Sequence, residues 1–470
     1  MTTTQRWTLA VVCAATAMLM LDIAVVNTAL SDIATDLNTG LSGLQWVVDA
    51  YTLALAAVVL TAGSLADRFG RRRLFTVGLS IFTLSSLVCA AAQDIVMLNA
   101  SRAAQGIGAA IMFAVSLALL SNAFPGAQER GKALAAYGAS IGAAFAVGPL
   151  VGGALTSGLD WRWIFIVNLP LGILCLAITR RSVEESRDSH ARTLDWPGQV
   201  TLTAGLFLLV LGLLRGNDDG WTSTAIVAEL AGAVAFIGAF IAVEARVKEP
   251  MLPLGLFRNR AFTGAQVAAF SISASFFAVF LYTTIYLQQI LGLSAIEAGL
   301  VYLPATLIML VVSGATANLV EKVGARTMIA GGLGLVAIGQ ALLTVAAVDS
   351  SWATLLPGEI VALIGVGVFN PAVSAVALGS APPQMSGLAA GVNDTFRQAG
   401  IAVGVAALGA LVPAAAAFGG EPQTYVDGMK DALWVGAAVC AAGAVACAVL
   451  LAERRKSAET VPAELALDAA

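Results

Sequence analysis

Apolar residues along this chain come in continuous runs of about 20, and polar residues collect in short segments between them. A run of that length lets one α-helix cross a bilayer, whereas a membrane barrel would show segments of about ten residues with apolar and polar positions alternating. Fourteen runs are present, near residues 8–30, 44–64, 74–92, 97–121, 132–156, 162–180, 197–214, 222–243, 262–288, 298–318, 327–347, 353–376, 387–413 and 431–451. The pattern predicts an all-α polytopic membrane protein with 14 transmembrane helices. Composition agrees: 59% of the 470 residues are hydrophobic and 11% charged, with a mean hydropathy of +0.86, where soluble domains carry about 25% charge. The first run does not read as a cleaved signal peptide, because it is too long, carries Asp22 and is followed by more spans.

Basic residues orient the spans. With both termini cytoplasmic, 20 of the 25 basic residues fall inside, only Arg162, Arg215 and Lys430 fall outside, and Arg102 and Arg397 lie within spans. A miscounted span would scramble that split. The stretch "ADRFGRRR" (66–73) after the second span and "VEKVGART" (320–327) after the tenth share an acid–base–x–Gly–x–Arg order at a constant offset of 254 residues. Parallel repeats of this kind belong to transporters with a central site between their halves. The expected organisation is a six-helix bundle over 1–180, cytoplasmic linkers and an inserted helix pair (spans 7 and 8) over 181–260, a second six-helix bundle over 261–452 and a cytoplasmic tail over 453–470.

An acid in mid-membrane costs at least ~3 kcal/mol, so Asp22 in "MLMLDIAVVNTAL" (18–30) needs an offset. A partly desolvated carboxylate can load and unload a proton or pair with a cationic cargo; the alternative is a hydrogen-bonded structural acid. Asp49 in span 2 reads as a cation or proton handler, or as an acid at the outer mouth, with Trp46 and Tyr51 beside it lining a cavity or, as the favoured reading, forming part of an interfacial aromatic belt. Glu359 and Asp394 are further candidates, and Arg397, three residues on, would neutralise Asp394. Arg102 in span 4, with Gln105 on the same face, needs a carboxylate, a water-filled cavity or a snorkelling exit. Tyr282, Tyr286, Gln288 and Gln289 would line an outward cavity or form a belt. Five cysteines without CxxC spacing read as small core residues, and the one histidine, His190, sits in a polar loop. No metal site, nucleophile–base constellation or Walker motif is present, so neither an enzyme nor an ATPase is expected.

Two segments carry order beyond composition. In "GSLADRFGRRRL" (63–74), Gly63 and Gly70 permit a turn and close helix approach, Asp67 would accept hydrogen bonds at a helix start, and Arg68, Arg71 and Arg72 would pair with it. Such a latch would hold the cytoplasmic ends of the halves together and release during transport; plain positive-inside anchoring is the alternative. In "AVGPLVGGAL" (146–155), Gly148, Pro149, Gly152 and Gly153 make a small-residue face for close packing.

With these residues in place, the chain resembles the major facilitator superfamily, in its fourteen-span drug:proton antiporter branch. The family segment G-x-L-A-D-R-x-G-R-R is similar to Gly63–Arg72, and L-x-x-x-R-x-x-Q-G-x-G-A-A to Leu98–Ala110. The antiporter signature G-x-x-x-G-P-x-x-G-G is met at Gly148–Gly153 with Ala144 for its first glycine, and the family's span-1 pattern L-D-x-T-V-x-N-x-A-L-P is similar to this chain at Leu21, Asp22, Val25, Asn27, Ala29 and Leu30 and departs at Ala24 and Ser31. The resemblance implies two six-helix bundles plus two inserted helices in the inner (plasma) membrane of a bacterium. It implies export of hydrophobic, cationic or zwitterionic drugs or antibiotics by alternating access. The proton motive force would drive it, with no cofactor. Partners would be the small-molecule cargo, protons and the bilayer, with no nucleic acid, and a single chain would complete the pathway. Coupling would fall to Asp22, Asp49, Arg102, Glu359 and Asp394. A facilitator or importer, or a dedicated exporter of one small metabolite, is the other reading.

Overall fold

The structure is a computed structural model that describes residues 1–187, 193–382 and 385–452. His190, Arg192, the tail at 453–470 and its Arg454, Arg455 and Lys456 lie outside the described residues. Among the described residues every regular element is helical. The long helices are α1 (Thr3–Asp36), α2 (Leu41–Phe69), α3 (Arg71–Ala90), α4 (Ile95–Ala123), α5 (Ala127–Gly158), α6 (Trp163–Ser182) and α7 (Trp196–Asp219). They continue as α8 (Thr224–Glu244), α9 (Arg260–Ile290), α10 (Ala295–Val323), α11 (Ala325–Leu343), α12 (Trp352–Gly379), α13 (Ser386–Gly409) and α14 (Pro422–Leu450). Thirteen of the 14 are long and apolar enough to cross a membrane. The exception is α13, whose hydropathy is pulled down by Asn393, Asp394, Arg397 and Gln398 at its middle.

Helix starts follow local chemistry. Thr2 with Gln5, and Ser294 with Glu297, form reciprocal capping boxes that satisfy the first free N–H groups of α1 and α10. Asp94 and Asp195 cap α4 and α7. The repeat seen in the sequence is a repeated break: Gly70 (φ 106°) divides α2 from α3, and Gly324 (φ 87°) divides α10 from α11. Both stand in a backbone region that side chains with a Cβ avoid.

Helices α1–α6 pack among themselves, as do α9–α14. The groups meet along two seams, α2 against α13 and α5 against α10. The pair α7–α8 packs on itself and lays α7 across the α2–α13 seam. Gln199 of α7 donates to the Ala57 carbonyl of α2 at 2.9 Å and bonds the Thr61 hydroxyl. At its other end, Asn217 donates to the carbonyl of Ala410, just past α13, at 2.6 Å. Arg215 and Glu229 pair within the inserted helices at 2.5 Å. With an even number of crossings, both described ends lie on one face of the bundle, the terminal face, and the α1–α2 turn lies on the far face.

Candidate functional site

The seams tighten from the terminal face to the far face, and the glycines of α5 record the gradient. A Cβ at Gly131 or Gly138 would meet nothing within 4 Å. At Gly142 it would touch Leu310 of α10 at 3.4 Å, and at Gly153 it would press on Ile296 Cα at 2.7 Å. Gly152 lies as closely on Val25 of α1, at 2.8 Å from its Cα, and Gly299 of α10 is pressed on Pro149 and Leu150. The glycine-rich order at 148–153 thus lets three helices touch backbone to backbone.

Hydrogen bonds between the halves follow the same gradient. Gln45 of α2 donates to the Tyr282 hydroxyl of α9 at 2.9 Å and to the Val405 carbonyl of α13 at 3.4 Å, and the Tyr282 hydroxyl donates to that same carbonyl. Gln288 donates to the Thr28 carbonyl at 2.8 Å, the Ile296 N–H donates to Ser157 at 3.0 Å, and Thr306 donates to the Ala146 carbonyl at 2.9 Å. These positions lie at half depth or toward the far face; among the described residues none links the halves nearer the terminal face. Gly153→Ala is expected to wedge the α5–α10 seam, so that a cysteine introduced by Ser157→Cys is labelled several-fold faster by a maleimide in purified protein. Unchanged labelling would show that the seam absorbs the methyl group.

Asp22, Arg102 and Gln105 come together in the core of the first six helices. Arg102 Nη1 donates to Asp22 Oδ2 at 2.5 Å and to Gln105 Oε1 at 2.7 Å, while its Nε donates to the Val47 carbonyl at 3.0 Å. Asp22 Oδ1 accepts from Gln105 at 2.9 Å and from Asn168 of α6 at 3.0 Å. Ser86 of α3 accepts from both amides. Five helices therefore converge on one buried ion pair. The guanidinium also lies over the Tyr51 ring, 4.3 Å from its centroid. Arg102 does not snorkel: its charge is matched where it stands. Asn168, Ser86 and Tyr51 were not singled out for this cluster in the sequence, although a polar side chain inside an apolar run is a signal of its own.

The other acids stand apart from that cluster. Asp49 has 0% exposure and neither carboxylate oxygen has a hydrogen-bond partner. It lies one turn below Gln45 on α2, within electrostatic reach of Tyr282. It is not an exposed mouth acid. Glu359 is buried near Tyr302, in the first turn of the α-helical part of α12 (Leu356–Gly379), where the positive end of that helix's dipole faces it. Asp394 is buried on α13, with Arg397 Nε 3.7 Å from its Oδ1 and nothing on its Oδ2. Tyr51 and Tyr282 are fully buried, so neither belongs to an interfacial belt. Tyr286 and Gln288 are likewise packed, the Tyr286 hydroxyl donating to the Ala347 carbonyl at 2.7 Å.

The arginine-rich turn departs from expectation. Asp67 lies at the end of α2, not at a helix start, and pairs with Arg71 at 2.8 Å. The start of α3 is capped instead by Glu185, from the segment after α6, which accepts from the N–H groups of Arg72 and Arg73 at 3.0 and 3.2 Å. Gly63 has open space beside it and makes no close helix approach, while Arg68, among the described residues, reaches only the Phe69 ring. Among the described residues the bonds of this turn stay within the first half and the segment after it, so the latch does not join the halves here.

The comparisons agree with this geometry. The profile described as Major Facilitator Superfamily matches residues 12–405. The chain is 37% identical to the multidrug resistance protein Stp of Mycobacterium tuberculosis, over 84% of this chain and 74% of that one. It is 38% identical to the puromycin resistance protein pur8 of Streptomyces alboniger, over 90% and 86%. Among solved structures, the human organic anion transporter MFSD10 superposes with a TM-score of 0.64 over 94% of this chain and 99% of that one, at 16% identity, a likeness of fold alone. Paired helical groups with a sealed far face, a matched profile and relatives at this identity lead to one conclusion: the chain is a transporter, not an enzyme, and belongs to the major facilitator superfamily.

Proposed function

We propose that this protein is a proton-coupled antiporter that exports hydrophobic, cationic or zwitterionic drugs or antibiotics by alternating access, from the plasma membrane, with its terminal face in the cytoplasm. The names of its relatives support export of such cargo. The observation that carries proton coupling is Asp49, a carboxylate buried without a partner just inside the Gln45–Tyr282 contact that closes the far face. In a dry seam the neutral acid is tolerated and the charge is not. With the terminal face open, cargo binding displaces the Asp49 proton to the cytoplasmic side, and the charge left behind favours the state that lets outside water reach Asp49, the one with the far face open. Cargo leaves there, Asp49 regains a proton from outside, and the seam closes again. One proton moving inward across 100 mV supplies about 2.3 kcal/mol per cycle.

The test is dye accumulation in a host stripped of its own efflux pumps, with ethidium and a neutral hydrophobic drug, with and without an uncoupler. Lower ethidium that rises again with uncoupler is the expected result. Protection that survives the uncoupler would refute proton coupling, and no protection against either compound would point to a dedicated metabolite.

A further inference from the structure

Arg397 is the one described arginine set at half depth of the second half, about 17 Å from either end of α13. Its side chain is 31% exposed, and among the described residues its only charged neighbour is Asp394, at a loose 3.7 Å. Five guanidinium donors are thus left without a hydrogen bond at mid-membrane depth. A cation there must face a wetted gap, because lipid contact is too costly. The far face is sealed, so that gap opens toward the terminal face. Tyr137 of α5, in the other half, lies within electrostatic reach of both Asp394 and Arg397, which puts the two groups beside the opposite half. Asp394, 96% buried, keeps Oδ2 free on the same helix face.

We infer that Asp394 and Arg397 form a dipolar anchor for a zwitterionic cargo, Arg397 taking its carboxylate and Asp394 its ammonium. The inference rests on the export reading above and names the head group that this site would hold. Empty, the two groups neutralise each other, so the site carries no net charge through the membrane. Loaded, each exchanges a poor partner for a good one, and a guanidinium fork is suited to bidentate carboxylate binding. The aromatic contact between Phe145 of α5 and Phe277 of α9, 5.4 Å between centroids, places apolar surface between the halves for the rest of the molecule.

The test uses a zwitterionic fluoroquinolone and its methyl ester, which keeps the amine and loses the carboxylate. Binding is read by tryptophan quenching of the full chain in nanodiscs. Wild type is expected to bind the acid about tenfold tighter than the ester, equivalent to ~1.4 kcal/mol. Arg397→Gln should weaken the acid to the level of the ester and leave the ester unchanged, and Arg397→Lys should keep part of the difference. Asp394→Asn should weaken acid and ester alike. Equal or absent binding of both by wild type, or equal weakening of both by Arg397→Gln, overturns the anchor. Ethidium efflux is scored separately: its absence in cells, with the acid-to-ester ratio intact, would sink the export reading and leave the anchor.

Discussion

Arg102→Ala is expected to destabilise the protein by about 3–5 kcal/mol, the usual cost of leaving one buried charge without its partner. The substitution leaves Asp22 with only the amides of Gln105 and Asn168, deep among five helices. It also empties the space above the Tyr51 ring and frees the Val47 carbonyl. Thermal unfolding of the purified protein, followed by the loss of a monodisperse chromatographic peak, reads the effect. Asp22→Asn should cost less, because an amide oxygen still accepts from Arg102. A double variant, Asp22→Leu with Arg102→Met, should recover much of the loss, since an apolar pair of similar volume often matches a buried ion pair in stability. That double variant also separates two roles. If it is stable and exports ethidium as wild type does, the ion pair serves only the fold. If it is stable and silent, the pair takes part in transport. Arg102→Ala unfolding with wild-type stability would contradict the whole account of the cluster.

Asp49→Asn is expected to do the opposite: keep or raise stability and abolish uncoupler-sensitive efflux. No hydrogen bond is lost, because neither oxygen of Asp49 has a partner. The amide removes a group that is costly to bury when charged, so the closed far face should become more favourable. A protein held closed on that side turns over slowly, and ethidium efflux should fall at least about tenfold, a barrier increase of ~1.4 kcal/mol. Combined with Gly153→Ala, which wedges the same face, part of the conformational bias should return without the proton coupling. Full uncoupler-sensitive efflux by Asp49→Asn would move the coupling role to Asp394 or Glu359. Asp394 would then be the first to examine, because Glu359 already has a helix dipole facing it.

The helical class and the family were legible in the sequence because apolar runs and the local orders at 63–72, 98–110 and 148–153 are contiguous signals. What sequence reading missed was made by contacts across long chain separations. Glu185 caps α3 from 113 residues away, and no periodicity announces that bond. Asn168 and Ser86 join the Asp22 cluster from two further helices, and each is only a lone polar residue within its own run. A second span starting near residue 44 leaves Tyr51 close to an interface. The helix begins at Leu41, which puts Tyr51 about 15 Å inside it. The helix α9 contains two π-helical turns, Ser273–Phe277 and Tyr286–Ile290, which shift side chains off the ordinary helical register. A face drawn on an ideal helix therefore misplaces Tyr282 and Gln288, which close the far side instead of lining a cavity or a belt.

The inserted pair makes the molecule lopsided. Helix α7 is fastened to α2 near the terminal face, through Gln199, and to the segment after α13 at the far face, through Asn217. It is a diagonal strut across one seam, and among the described residues the α5–α10 seam has no counterpart. Two halves rocking about their common axis would stretch such a strut on one side only. Under the alternating-access reading proposed above, the opening stroke would be a door swinging from a braced jamb, not a clam parting evenly, with α5 and α10 as the free edge.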